Sequence, residues 1–223
     1  MSGMQERYAA VRARVDAAAE KVGRDPAEVT LVAVSKRKPA ADVVDAYGAG
    51  ARAFGENYVQ ELVDKAGDVG SQPDLSWHFV GHLQRNKANA LLSVPGLQLI
   101  HGIDSAKLLR ALDTRAEHPV GVLIHVNVAG EATKSGCAPE DLEALVAEAR
   151  ACTKLKLRGL MTMPPPTEDP NEARGHFRAL RDLRDRFDAG SELSMGMSGD
   201  FEVAVEEGAT LVRVGTAIFG ART

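Results

Sequence analysis

An α/β fold, and within it a single-domain (β/α)8 TIM barrel, is what the sequence predicts, on three observations. Short β-branched apolar runs alternate with longer stretches of helical spacing, the β-like runs number eight, and a helix-like stretch follows each of the first seven. A doubly wound open sheet shares the same local alternation and is the rival architecture. The 223 residues suit one large α/β domain, so 1–223 is read as one barrel, with 1–25 as a helical extension packed on it.

The elements follow in order. Residues 5–22 carry Tyr8, Val11, Val15, Ala18 and Val22 at helical spacing and are expected to lie across the bottom or side of the barrel. The first strand, 29–35, is rich in β-branched residues, delivers Lys36 at its end and stops before Pro39. Further strands are expected at 52–55, 76–80, 97–100, 120–128, 157–163, 193–197 and 211–215. Helices are expected between them, among them 41–49, 56–66, 85–92, 105–117, 139–152 and 171–187, with a further one opening after Asp200. Pro164-Pro-Pro166 falls between a strand and a helix, where it stiffens a loop rather than separating domains.

Composition narrows the function classes. Apolar residues make up 44% and charged residues 26%, as in ordinary soluble domains and unlike disordered chains. Twenty-seven basic against thirty-one acidic side chains give a charge of −4, without the basic excess of a nucleic-acid surface. No apolar run approaches the roughly 20 residues that span a bilayer, and the polar start is unlike a signal peptide. A cytoplasmic protein that binds neither nucleic acid nor membrane is therefore expected, with a monomer as the default state. Cys137 and Cys152 form no CxxC pair and are expected to be unpaired thiols.

Candidate chemistry begins at Lys36. Side chains alternate along a strand, so Val32, Val34 and Lys36 share one face, and an inward Lys36 stands at the barrel mouth, where barrels bind ligands. An amine held there among apolar walls can trap a carbonyl. The bland alternative is one of three solvated cations with Arg37 and Lys38. The last quarter of the chain weighs against it. Ser194-Met-Gly-Met-Ser-Gly-Asp200 and Val212-Arg-Val-Gly-Thr-Ala-Ile-Phe-Gly220 end strands seven and eight in Gly-rich turns, where barrels often bind phosphate. Ser198, Gly199, Gly215 and Thr216 are the candidate phosphate ligands, although glycines there could serve turn geometry alone.

Arg213 alternates with Val212 and Val214, so valines facing the helices leave the arginine facing the barrel axis. A buried guanidinium needs a partner, and an aromatic nitrogen, a phosphate or a carboxylate would serve. Amine, guanidinium and phosphate cradle together suggest a phosphorylated aldehyde held as an imine. Asn57 could hydrogen-bond such a ligand or simply start a helix, and His82 is a candidate hydrogen-bonding group at the mouth. His78 and His82 stand four apart across a β-like run broken by Gly81, so no metal site is expected. No GK[ST] phosphate loop, no GxGxxG and no intact GxSxG is present, which disfavours nucleotide-driven and serine-hydrolase chemistry.

Several long motifs in order carry a resemblance. They are Leu31-Val-Ala-Val-Ser-Lys36, Phe54-Gly-Glu-Asn57 with Gln60-Glu61, Trp77-His-Phe-Val-Gly-His-Leu-Gln84 with Asn86-Lys87, Gly159-Leu-Met-Thr-Met163, Ser194-Met-Gly-Met-Ser198 with Asp200, and Val212-Arg-Val-Gly-Thr216 with Phe219-Gly220. Over nearly its whole length the chain resembles the pyridoxal phosphate homeostasis protein family, itself similar to the N-terminal barrel of bacterial alanine racemase. The resemblance implies pyridoxal 5′-phosphate as cofactor, Lys36 as its Schiff-base lysine, Ser198, Gly199, Gly215 and Thr216 around its phosphate, and Arg213 at its pyridine nitrogen. It also implies a carrier in vitamin B6 and amino-acid homeostasis, with acceptor apoenzymes as candidate partners and no established catalytic residue. The alternative is a racemase-like enzyme of low activity. Racemisation requires acid/base groups on both faces of the amino acid, and the relative that performs it completes its site with a C-terminal domain. This chain ends at Thr223, a few residues past the last strand, so a carrier is expected.

Overall fold

Side-chain alternation along eight strands sorts the apolar residues into two separate cores. The computed structural model describes residues 3–131 and 135–220. Its strands are β1 (Thr30–Val34), β2 (Ala53–Glu56), β3 (Ser76–Phe79), β4 (Leu97–Ile103), β5 (Val120–His125), β6 (Leu155–Met161), β7 (Glu192–Ser194) and β8 (Leu211–Val214). All pair in parallel in chain order, and β8 returns to β1 with Val32 beside Arg213, closing the barrel. The open-sheet alternative is thereby removed.

Around the barrel run α1 (Gly3–Lys21), α2 (Ala40–Gly48), α3 (Val59–Val69), α4 (Ala88–Leu92), α5 (Ala106–Arg115), α6 (Leu142–Ala151), α7 (Arg174–Phe187), α8 (Phe201–Glu206) and α9 (Thr216–Phe219). The larger core lies between helices and strands and includes Leu31, Phe54, Trp77, Ile100, Val122, Leu193, Val212 and Val214. The smaller one fills the barrel axis with Val32, Ala53, Leu99, Leu123, Met161 and Leu211. Successive residues such as Leu31 and Val32 thus enter opposite cores, as the period of two requires.

Several boundaries differ from those the sequence predicts, each for a local reason. Three predicted helices begin instead with a tight 3₁₀ turn, at Arg85–Lys87, Pro139–Asp141 and Pro170–Ala173. In two of them proline takes the first position, where its missing N–H costs nothing. Strand seven ends at Ser194 rather than at 197, because Gly196 turns the chain with φ +91°. A Cβ there would stand 2.5 Å from Ala204 Cβ. Strand four continues to Ile103, three residues past its predicted end, since His101 and Gly102 occupy buried barrel positions that an apolar pattern does not register.

Helix α1 lies on the flank rather than beneath the barrel. It packs on α8 and α9, with Arg7 Nε donating to Ile218 O at 2.6 Å and Arg14 gripping Glu202 at 2.9 and 2.8 Å. Both cysteines are free, and no described helix is long and apolar enough to cross a membrane.

Candidate functional site

Seven of the eight candidate site residues come from loops or strand ends at one end of the barrel, and they line one cavity. Lys36 follows β1, Asn57 follows β2, Ser198 and Gly199 follow β7, and Gly215 and Thr216 follow β8, while Arg213 reaches up from within β8. With Val34, Val80, Met163 and Met197 they enclose about 280 Å³. The cavity therefore joins an amine, a guanidinium, two hydroxyls and two glycines under a partly apolar wall.

His82 is not brought to this cavity. Strand β3 ends at Phe79, so Val80 takes the inward position and the chain turns away before residue 82. His82 is 57% exposed, its Nδ1 3.4 Å from Asp104 Oδ2, beside a groove that also holds Arg85 and Lys107. Among the described residues no group of three His, Cys, Asp or Glu side chains could hold a metal ion.

The segment bearing Lys36 is fixed on both sides. Ser35 N donates to Gly55 O at 3.0 Å, and Lys38 N closes a turn onto Ser35 O at 3.0 Å. Between them Arg37 adopts φ +60°, a left-handed conformation uncommon for a residue with a side chain, and its N–H is held by the Glu61 carboxylate. Beneath the turn lies a buried charge cluster. Lys65 Nζ donates to Glu56 Oε1 at 2.5 Å, to Ser35 O at 2.8 Å and to Glu61 Oε1 at 3.0 Å, and Ser35 Oγ donates to Glu56 Oε1 at 2.7 Å. Burial pushes the Glu56 carboxyl above its usual range, and its bond to Lys65 and that ammonium's charge pull the other way. The sequence reading missed Lys65, although it sits in the apolar stripe Leu62, Ala66, Val69 of α3, where a lysine must find a buried partner.

On the far side, Asp200 Oδ1 accepts the Met197 N–H at 2.6 Å and holds the turn that carries Ser198 and Gly199. Burial raises the Asp200 carboxyl, while the nearby Arg213 charge opposes the rise. Arg213 is buried, donates to Ser194 Oγ and to Thr162 O at 3.0 Å, and is drawn down to about 10 by burial. It remains a cation at neutral pH.

Asn57 is seated by a close backbone approach. A Cβ on Gly81 would stand 2.1 Å from Asn57 O, so the loops after β2 and β3 can touch only with glycine there. Gly81→Ala is expected to push Asn57 out of the cavity wall and to destabilise the fold by about 1–3 kcal/mol. Urea unfolding measures it, and an unchanged midpoint would mean that this contact is not tight.

Comparison with known proteins adds the following. Residues 7–223 match the family described as the alanine racemase N-terminal domain. The chain is 47% identical over 226 residues to the pyridoxal phosphate homeostasis protein of Pseudomonas aeruginosa, spanning 100% of this chain and 97% of that protein. It is 42% identical over 235 residues to the protein of the same name from Escherichia coli K12, spanning 100% and 98%. Among solved structures it is similar to PipY of Synechococcus elongatus PCC7942 with pyridoxal phosphate bound, at TM-score 0.83 and 35% identity, covering 97% of this chain and 100% of that one.

Proposed function

The chain belongs to the alanine racemase N-terminal-domain family and, within it, to the pyridoxal phosphate homeostasis proteins, and on that premise we propose that it is an intracellular, monomeric carrier of pyridoxal 5′-phosphate. One observation carries this reading: Lys36, Arg213 and the Ser198-Gly199 and Gly215-Thr216 turns line a single cavity. When bound, the cofactor supplies an aldehyde that links reversibly to a primary amine, a ring nitrogen and a phosphate. Lys36 would bind the aldehyde, Arg213 would face the ring nitrogen, and Ser198, Gly199, Gly215 and Thr216 would hold the phosphate through hydroxyls and backbone N–H groups. Asn57 would bound the remaining side.

Carriage rather than turnover follows from the donor set. A guanidinium donates hydrogen bonds but does not release its proton, so Arg213 leaves the ring nitrogen poorly equipped to store carbanion charge. The buried imidazole of His125, held down to about 4 by burial and by the Arg213 charge, is not among the groups that line the cavity, so it does not complete an acid/base pair there. Acceptor apoenzymes are the partners this chemistry would serve. Titrating the protein with pyridoxal 5′-phosphate should produce an absorbance band distinct from the free aldehyde, fixed by borohydride and discharged into a pyridoxal-phosphate-dependent apoenzyme. Absence of the band would refute binding through an amine. Lys36-dependent loss of α-deuterium from an amino acid would favour the low-activity racemase instead.

A further inference from the structure

A continuous file of polar side chains runs down the barrel from the cavity, where an apolar core would need none. Arg213 on β8 donates through Nη1 to Ser194 Oγ on β7. Ser194 Oγ lies 2.8 Å from His101 Nδ1 on β4, and His101 Nε2 lies 3.0 Å from His78 Nδ1 on β3. His78 Nε2 lies 3.5 Å from Ser76 Oγ, and Gln98 also bonds this imidazole. Arg213, Ser194, His101 and His78 are all buried.

The polarity of this file can be derived. A guanidinium only donates, so one lone pair of Ser194 Oγ is already taken. The serine proton then has His101 Nδ1 as acceptor. The opposite polarity would set a second donor against an oxygen that faces a cation, and would leave the hydroxyl proton without that acceptor. With Nδ1 accepting, a neutral His101 carries its proton on Nε2 and gives the bond to His78 Nδ1. His78 in turn carries its proton on Nε2, toward Ser76 and Gln98.

We propose that Ser194, His101 and His78 are positioning residues for Arg213, forming a one-way chain of donated hydrogen bonds, with both imidazoles neutral and protonated on Nε2, that fixes the guanidinium in the cavity wall. The orienting role toward the vitamer's ring nitrogen rests on the cofactor reading; the polarity of the chain does not. The electrostatic surroundings agree. Burial holds His78 down to about 4, with the Arg158 charge acting in the same direction and the Gln98 bond against it. His101 is held well below its usual value by burial and by the neighbouring His78 and Arg213. The acidic group facing Arg213 is Asp200, and His125 is a further imidazole within its field. Since arginine keeps its proton, the chain cannot conduct one to the cavity, and orientation is what it provides.

Nitrogen-15 NMR of histidine-labelled protein, with His78→Asn and His101→Asn for assignment, tests the chain before any ligand is added. Both imidazoles should remain neutral in the Nε2–H form from pH 5.5 to 8; an Nδ1–H tautomer, or titration of either within that range, would overturn the proposal. Ser194→Ala should release His101 into a mixture of tautomers and weaken pyridoxal 5′-phosphate binding roughly tenfold, as for losing a hydrogen bond to a charged group. Ser194→Thr, which keeps the hydroxyl, should restore both. An alanine variant that binds the vitamer as wild type would show the chain to be structural only and overturn its role toward Arg213. Wild-type protein that takes up no vitamer, with the Nε2–H tautomers intact, would instead end the cofactor reading and with it the orienting role, while leaving the polarity standing.

Discussion

Lys36→Ala is expected to abolish the amine-linked absorbance band and all borohydride-fixable label, because it removes the primary amine that lines the cavity. Non-covalent uptake should survive in weakened form, since Arg213, Ser198 and Thr216 are untouched. Each hydroxyl is expected to contribute about 1 kcal/mol, or roughly fivefold in affinity. Spectrophotometric titration of the variant measures both effects. A Lys36→Ala protein that still forms a borohydride-stable adduct at wild-type stoichiometry would mean that another lysine binds the aldehyde. The fold should be unaffected, because Lys36 is only half-buried and lies outside both apolar cores.

The second large effect belongs to a residue that touches no ligand. Lys65→Met leaves Glu56 buried without its cation, and the cost of breaking such a pair is about 3–5 kcal/mol. For a chain of this length that lowers Tm by roughly 10 °C. It also frees Ser35 O and one contact of Glu61, so the turn carrying Lys36 loosens and covalent loading should slow. The pH dependence has a definite sign. Burial raises the folded Glu56 carboxyl above its unfolded value, so the folded state holds that proton to higher pH, and stability falls as pH rises from the ordinary carboxylate range through the raised one. Removing Lys65 takes away the larger part of what opposes the rise and leaves only the Ser35 hydrogen bond against it. The deficit of the variant should therefore be largest near pH 8 and shrink toward pH 5, and a deficit that grows on acidification would contradict this account of the cluster.

What could be read from the sequence was set by strand period. Val32 on β1, Lys36 two residues past its end, and Arg213 between Val212 and Val214 on β8 fall where alternation places them, and the two cores divide as that alternation requires. Alternation fails where a strand stops. His82 would have pointed inward had β3 continued past Phe79, yet the turn at Gly81 carries it to the rim beside Asp104. Pairings between distant elements were not legible either. Lys65 with Glu56, and His101 with Ser194 ninety-three positions away, depend on which strands and helices become neighbours, and no local pattern encodes that. A signal was nonetheless present: a lysine within the apolar stripe of α3, and histidines at inward positions of β3 and β4, are polar groups that burial would make costly without partners.

The central claim is that the amine of Lys36 and the turns at Ser198-Gly199 and Gly215-Thr216 serve one bound vitamer. Peptide mapping by mass spectrometry, after stoichiometric pyridoxal 5′-phosphate and borohydride, tests it most directly. A single phosphopyridoxyl group on Lys36 is the predicted result. Label on Lys38, Lys87 or any other lysine with Lys36 unmodified would contradict it.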